Sequence, residues 1–136
     1  MNEQRARLLR FQGFLLMLFA LVQGFLIVAG VGKQEAQGRA HIEIFLTAFM
    51  VILIALTAPT LKLSERAGQV LVISILIAAW MGALHAVGVA TLGATSIHVK
   101  GTAAPLAEQV LFAMGALPAP FSLAAIGLTL YGLRRV

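Results

Sequence analysis

The sequence predicts an all-α integral membrane protein, a four-helix up-down-up-down bundle, and three observations carry that prediction. Of its 136 residues, 60% are hydrophobic and only 11% are charged, whereas a soluble domain carries about 25% charged residues to face water. The mean hydropathy is +0.97, which excludes a soluble globular domain. It equally excludes a disordered chain, which combines low hydrophobicity with high charge. The apolar residues form four long blocks parted by short polar seams, and a hydrocarbon layer ~30 Å thick takes about 20 helical residues to cross. Four crossings use nearly all of the chain, so residues 1–136 form one transmembrane domain.

The first span is expected over about residues 8–32, after a start carrying Arg5, Arg7 and Arg10. A signal peptide begins in a similar way, but the 22 residues from Phe11 to Gly32 are too long for its apolar region, and the span is read as retained. The second is expected over about 40–61, closed by Pro59 and Lys62. Ser64 is placed to cap the third, over about 67–93. Within it Ala78, Gly82, Ala86 and Ala90 recur every four positions, a small-residue stripe that permits close helix contact. The fourth is expected over about 104–133, with Pro105 in its first turn. Pro118 and Pro120 should kink it, a break tolerated in membranes around a cavity. Short connections make successive helices antiparallel neighbours.

Charge sets the expected orientation. With both termini inside, that side holds Arg5, Arg7, Arg10, Lys62, Arg66, Arg134 and Arg135, against Lys33, Arg39 and Lys100 outside. The excess places both termini in the cytoplasm and the chain in the cytoplasmic (inner) membrane as a multi-pass protein. Although the net charge is +5, the basic residues sit at block ends, where they meet lipid headgroups; no basic stripe interleaved with aromatics points to nucleic acid. The absence of cysteine excludes disulfides and thiolate metal sites.

Polar residues inside apolar blocks are costly in lipid and form the functional shortlist. His41, Glu43, His85, His98 and Glu108 fall in the outer half. Each has a plain structural reading beside a functional one. His41 is an interfacial histidine beside Arg39, or a ligand. Glu43 pairs with Arg39 at the i,i+4 spacing, or acts in a site. Glu108 favours the helix dipole, and His98 is a solvated loop residue. His85, mid-helix, needs a partner or a cavity. Thr47, Thr57, Ser74 and Ser122 can bond back to their own helices; Gln12 and Gln23 can tie helices together; Trp80 packs or lines a pocket. A neutral histidine is an axial ligand for b-type haem. No phosphate loop, dinucleotide fingerprint or hydrolase motif is present. Composition and spacing reach a four-span protein with an outer polar set and stop there. A two-histidine electron-transfer subunit (His41 with His85) and a small transporter using Glu43 stay open beside an enzyme.

The order of landmarks goes further. Phe11-Gln12-Gly13-Phe14-Leu15-Leu16, Gly38-Arg39-Ala40-His41-Ile42-Glu43, Leu63-Ser64-Glu65-Arg66, Ala78-Ala79-Trp80 and Ala116-Leu117-Pro118-Ala119 lead to the tail Tyr131-Gly132. The series resembles the small membrane isomerases that include styrene oxide isomerase and hydroxylaminobenzene mutase. The resemblance implies a homotrimer binding haem b, with His41 as iron ligand, and a hydrophobic aromatic substrate entering from the lipid bilayer. It implies an intramolecular rearrangement. The mutase type converts hydroxylaminobenzene to 2-aminophenol. In the epoxide type, ferric iron acts as a Lewis acid on the epoxide oxygen and a 1,2-shift gives the aldehyde. The brief segment Lys33–Arg39 and the triplet His41-Ile42-Glu43 resemble the mutase type more closely. Thr47 and Ala79 stand where the family carries asparagines, and Gln12 where a histidine is common. The expected site is therefore His41 for the cofactor, with Thr47, Glu43, His85 and Trp80 as catalytic candidates.

Overall fold

The structure, a computed structural model, describes residues 1–31, 34–92 and 106–134, apart from the side chains of Ala107 and Glu108. It contains α1 (Glu3–Val28), α2 (Gln34–Thr57), α3 (Glu65–Leu92), α4 (Leu106–Ala116) and α5 (Pro118–Leu133), with a single 3₁₀ turn, Ala58–Thr60, after α2. The helices make four apolar spans long enough to cross a membrane, α4 and α5 together forming the fourth. Among the described residues there is no strand. His98, Lys100 and Pro105 lie outside the described residues.

Each helix begins and ends for a local reason. The Asn2 side chain accepts a hydrogen bond from the Arg5 amide at 3.0 Å, and Ser64 Oγ accepts from the Ala67 amide at 3.2 Å. Both satisfy donors that a helix leaves unpaired at its first turn, and the second is the cap expected from the sequence. α1 ends at Val28, and just past its cap residue Ala29 Gly30 has a φ of 69°, the left-handed conformation that favours glycine. α2 differs most from expectation. It starts at Gln34, well before residue 40, because Glu35, Ala36, Gln37 and Arg39 are strong helix formers. Glu35 also pairs with Arg39 one turn on. Polar composition hides this first turn from a hydropathy reading.

The first two helices pack most extensively. They approach closely at Gly13, where an added Cβ would stand 2.5 Å from Ile52 Cγ1. The core runs along α1, α2 and α3 through Leu9, Leu16, Ile44 and Leu71, all fully buried, with alanines between them. Both chain ends meet the α2–α3 connection. The Met1 ammonium donates to the Leu61 carbonyl at 2.9 Å, Arg5 to the Glu65 carbonyl at 2.9 Å, and the Lys62 amide to the Gly132 carbonyl at 3.3 Å. This terminal end is thus tied by backbone acceptors.

The opposite, distal end is held by polar groups in place of large apolar ones. Gln23 Nε2 donates to the Gln37 carbonyl (3.0 Å) and to Gln37 Oε1 (2.6 Å), and Gln37 Nε2 donates to Thr91 Oγ1 (3.3 Å). Both amides are buried, so α1, α2 and α3 are tied in register there. Gln12 joins α1 to α3 lower down, accepting from Trp80 Nε1 at 3.0 Å. Both glutamines expected to tie helices do so. The small-residue stripe divides. Ala86 and Ala90 pack against Ala40, but Ala78 and Gly82 face a cleft.

Candidate functional site: an apolar cleft and two anchored histidines

Between α2, α3 and α5 lies a cleft of about 420 Å³, within the size range of small-ligand pockets. Its walls are apolar, including Ile54, Ile75, Ala78, Ala79 and Ile126; Glu43, Thr47 and Ser122 are its polar residues. Pro118 lines it at the joint between α4 and α5. Proline has no amide hydrogen for the Met114 carbonyl, and its ring crowds that carbonyl, so the fourth span breaks there. The expected association of the proline break with a cavity is realised.

Thr57 bonds back to the Leu53 and Ile54 carbonyls, as expected. Thr47, Ser74 and Ser122 make no such bond among the described residues. Thr47 and Ser122 instead line the cleft, and nothing in their spacing marked Ser122 as part of a site. The expected Arg39–Glu43 pair is absent because Arg39 pairs with Glu35. Glu43 is exposed at the distal end of the cleft and has no hydrogen bond or ion pair among the described residues. Trp80 does not line the cleft. It faces α1, bonded to Gln12 and with its ring 6.0 Å from that of Phe19.

The two described histidines are seated alike. His41 Nδ1 lies 2.9 Å from the Ala20 carbonyl on α1; His85 Nδ1 lies 2.7 Å from the Leu111 carbonyl on α4. A carbonyl only accepts, so each Nδ1 carries a proton, and the tautomer that this selects presents its lone pair at Nε2. Four residues beyond each carbonyl is a glycine that makes room for the ring. A Cβ on Gly24 would stand 3.2 Å from His41 Cε1, and one on Gly115 2.7 Å from His85 Cε1. These seats went unseen in the sequence because each glycine is distant along the chain from its histidine. The expected outer polar set therefore divides among three seams. His41 faces α1, His85 faces α4, and Glu43 with Thr47 lines the α2–α3–α5 cleft. Helix geometry, ~100° per residue, sets Glu43 about 200° around α2 from His41.

His41 fits an axial ligand. Its Nδ1–H is fixed by a backbone acceptor, the arrangement that orients ligating histidines, and its Nε2 has no partner among the described residues. Among those residues no three of His, Cys, Asp and Glu gather to hold a bare metal ion. A metal at His41 would need most of its ligands from elsewhere, as iron in a porphyrin has.

The fold and site define a four-span membrane protein with an apolar, hydroxyl-bearing cleft within its bundle. Residues 5–134 match the family model described as styrene oxide isomerase; the chain belongs to the styrene oxide isomerase family, and its membership marks it as an isomerase of that type. The match favours the epoxide type over the mutase type suggested by the segment Lys33–Arg39, most of which is the first turn and a half of α2. No curated protein and no solved structure gives a match.

Proposed function

We propose that this protein isomerises a small aryl epoxide to the corresponding aldehyde, with haem b on His41, as a homotrimer in the cytoplasmic membrane. The observation that carries the reading is the cleft itself, apolar apart from Glu43, Thr47 and Ser122, in a chain of this family. Haem b, when bound, supplies a Lewis-acidic iron. His41 would hold it through Nε2, with the ring fixed by the Ala20 carbonyl. The hydroxyls of Thr47 and Ser122 donate to an oxygen on which negative charge grows, worth most where water is excluded. Ile54, Ile75, Ala78, Ala79 and Ile126 exclude that water, so the opening epoxide rearranges by a 1,2-shift instead of adding water to form a diol. Atoms and electrons balance within the substrate, and no nucleotide or reductant is consumed.

His41 and the cleft lie on different faces of α2, which supports an oligomer in which His41 of one copy serves the cleft of the next. Gly82 supplies a test of the cleft. A Cβ there meets nothing within 4 Å, so Gly82→Leu fills the cleft without a clash at its first atom. The variant is expected to keep the haem content of the wild type and to lose turnover of styrene oxide, measured as phenylacetaldehyde by gas chromatography. Unchanged turnover would contradict the cleft as substrate site.

A further inference from the structure

We propose that Glu43 makes the cleft selective for aromatic ligands that carry, or develop, positive charge. The inference rests on reading the cleft as the site for a small aromatic molecule. α2 has 24 residues, about 36 Å at 1.5 Å each, against a hydrocarbon layer of ~30 Å. The first six residues of α2 are largely polar, so Glu43 stands three residues, ~5 Å, into the apolar block that begins near Ala40. An ionisable side chain at that depth is expensive and pairs with an opposite charge or marks a ligand path.

No cation pairs with Glu43 in the described structure. Arg39, one turn away on the same face, is engaged by Glu35. No lysine or arginine lines the cleft, and the other polar residues there are two neutral hydroxyl side chains. The carboxyl therefore stands at the distal end of an apolar cavity sized for one ring-bearing molecule. The low dielectric of such a cavity strengthens a charge–charge attraction over its value in water. A benzylammonium head supplies the missing charge permanently. The benzylic carbon of an opening epoxide supplies it as the C–O bond breaks, and there Glu43 would favour the transition state over the neutral substrate. The hydroxyls at Thr47 and Ser122 then serve the oxygen and the carboxyl serves the carbon.

The test uses two probes of nearly equal shape, benzyltrimethylammonium and neopentylbenzene, bound to the full-length protein in lipid nanodiscs. Binding is read by isothermal titration calorimetry and by the emission of Trp80, the protein's single tryptophan. The wild type is expected to favour the cation, and Glu43→Gln to lower the cation-to-neutral affinity ratio about tenfold, the scale of one close charge pair at a partly solvated site. Glu43→Asp should retain the preference, and Gly82→Leu should weaken both probes. An unchanged ratio in Glu43→Gln, with helicity by circular dichroism unchanged, would overturn the proposal. If that variant does not fold, loss of the preference in Glu43→Asp, or its absence in the wild type, does so. A shifted ratio in a protein that isomerises no epoxide would sustain the charge selectivity and overturn the proposed reaction. An unshifted ratio in an active isomerase would do the reverse.

Discussion

At the scale of single residues, an imidazole, a carbonyl and a glycine act together. The Ala20 carbonyl selects the tautomer of His41, and the missing side chain at Gly24 lets the ring reach that carbonyl. Leu111 and Gly115 repeat the arrangement around His85. If His41 holds haem, His41→Ala should lose it, and Gly24→Val should weaken it by displacing the ring, while His85→Ala keeps it. Pyridine haemochrome content per chain and the Soret band check all three; full haem loading in His41→Ala would remove the ligand assignment. The histidines themselves were legible, since polar side chains stand out in apolar blocks. Their seats were not, because contact between helices, and not spacing within one, creates them. Of the two readings of Glu43, the pairing with Arg39 failed for a related reason. The i,i+4 rule offered Arg39 a partner on either side, and the early start of α2 made Glu35 part of the helix and gave Arg39 to it.

At the scale of elements, the consequential feature is the break at Leu117–Pro118. A proline inside a helix costs about 3 kcal/mol in water-soluble hosts, and here it lines the wall of the cleft. Pro118→Ala restores a donor for the Met114 carbonyl and allows α4 and α5 to run on as one helix. We expect the variant to unfold at a higher temperature, followed by circular dichroism in detergent, and to turn over less substrate. Lower stability would contradict the role given to the proline. Four spans, the cap at Ser64 and this break could all be seen in the sequence, because hydropathy blocks, cap residues and proline are local signals. The start of α2 was not, because its first turns are helical but polar. The division of the small-residue stripe was hidden as well; every fourth residue marks a helix face but does not say whether a helix or a cavity lies opposite.

At the scale of the whole molecule, the bundle packs alanines such as Ala20, Ala48 and Ala83 inside and leaves Phe14, Phe25 and Leu123 on the outside, as suits a protein solvated by lipid. Its distal end is tied by the buried Gln23–Gln37 pair, with Thr91 bonded to it, and its terminal end by contacts to backbone carbonyls. The opposed faces of α2 make assembly part of the proposed chemistry, so native mass spectrometry from detergent should find three chains with haem, and an active monomer would contradict that arrangement. The most direct measurement is of the product. Purified protein loaded with haem, in lipid nanodiscs and without nucleotide or reductant, should convert styrene oxide to phenylacetaldehyde, with no styrene glycol above the buffer control. Formation of the glycol, or no conversion by folded, haem-loaded protein, would contradict the assignment of this cleft to epoxide isomerisation.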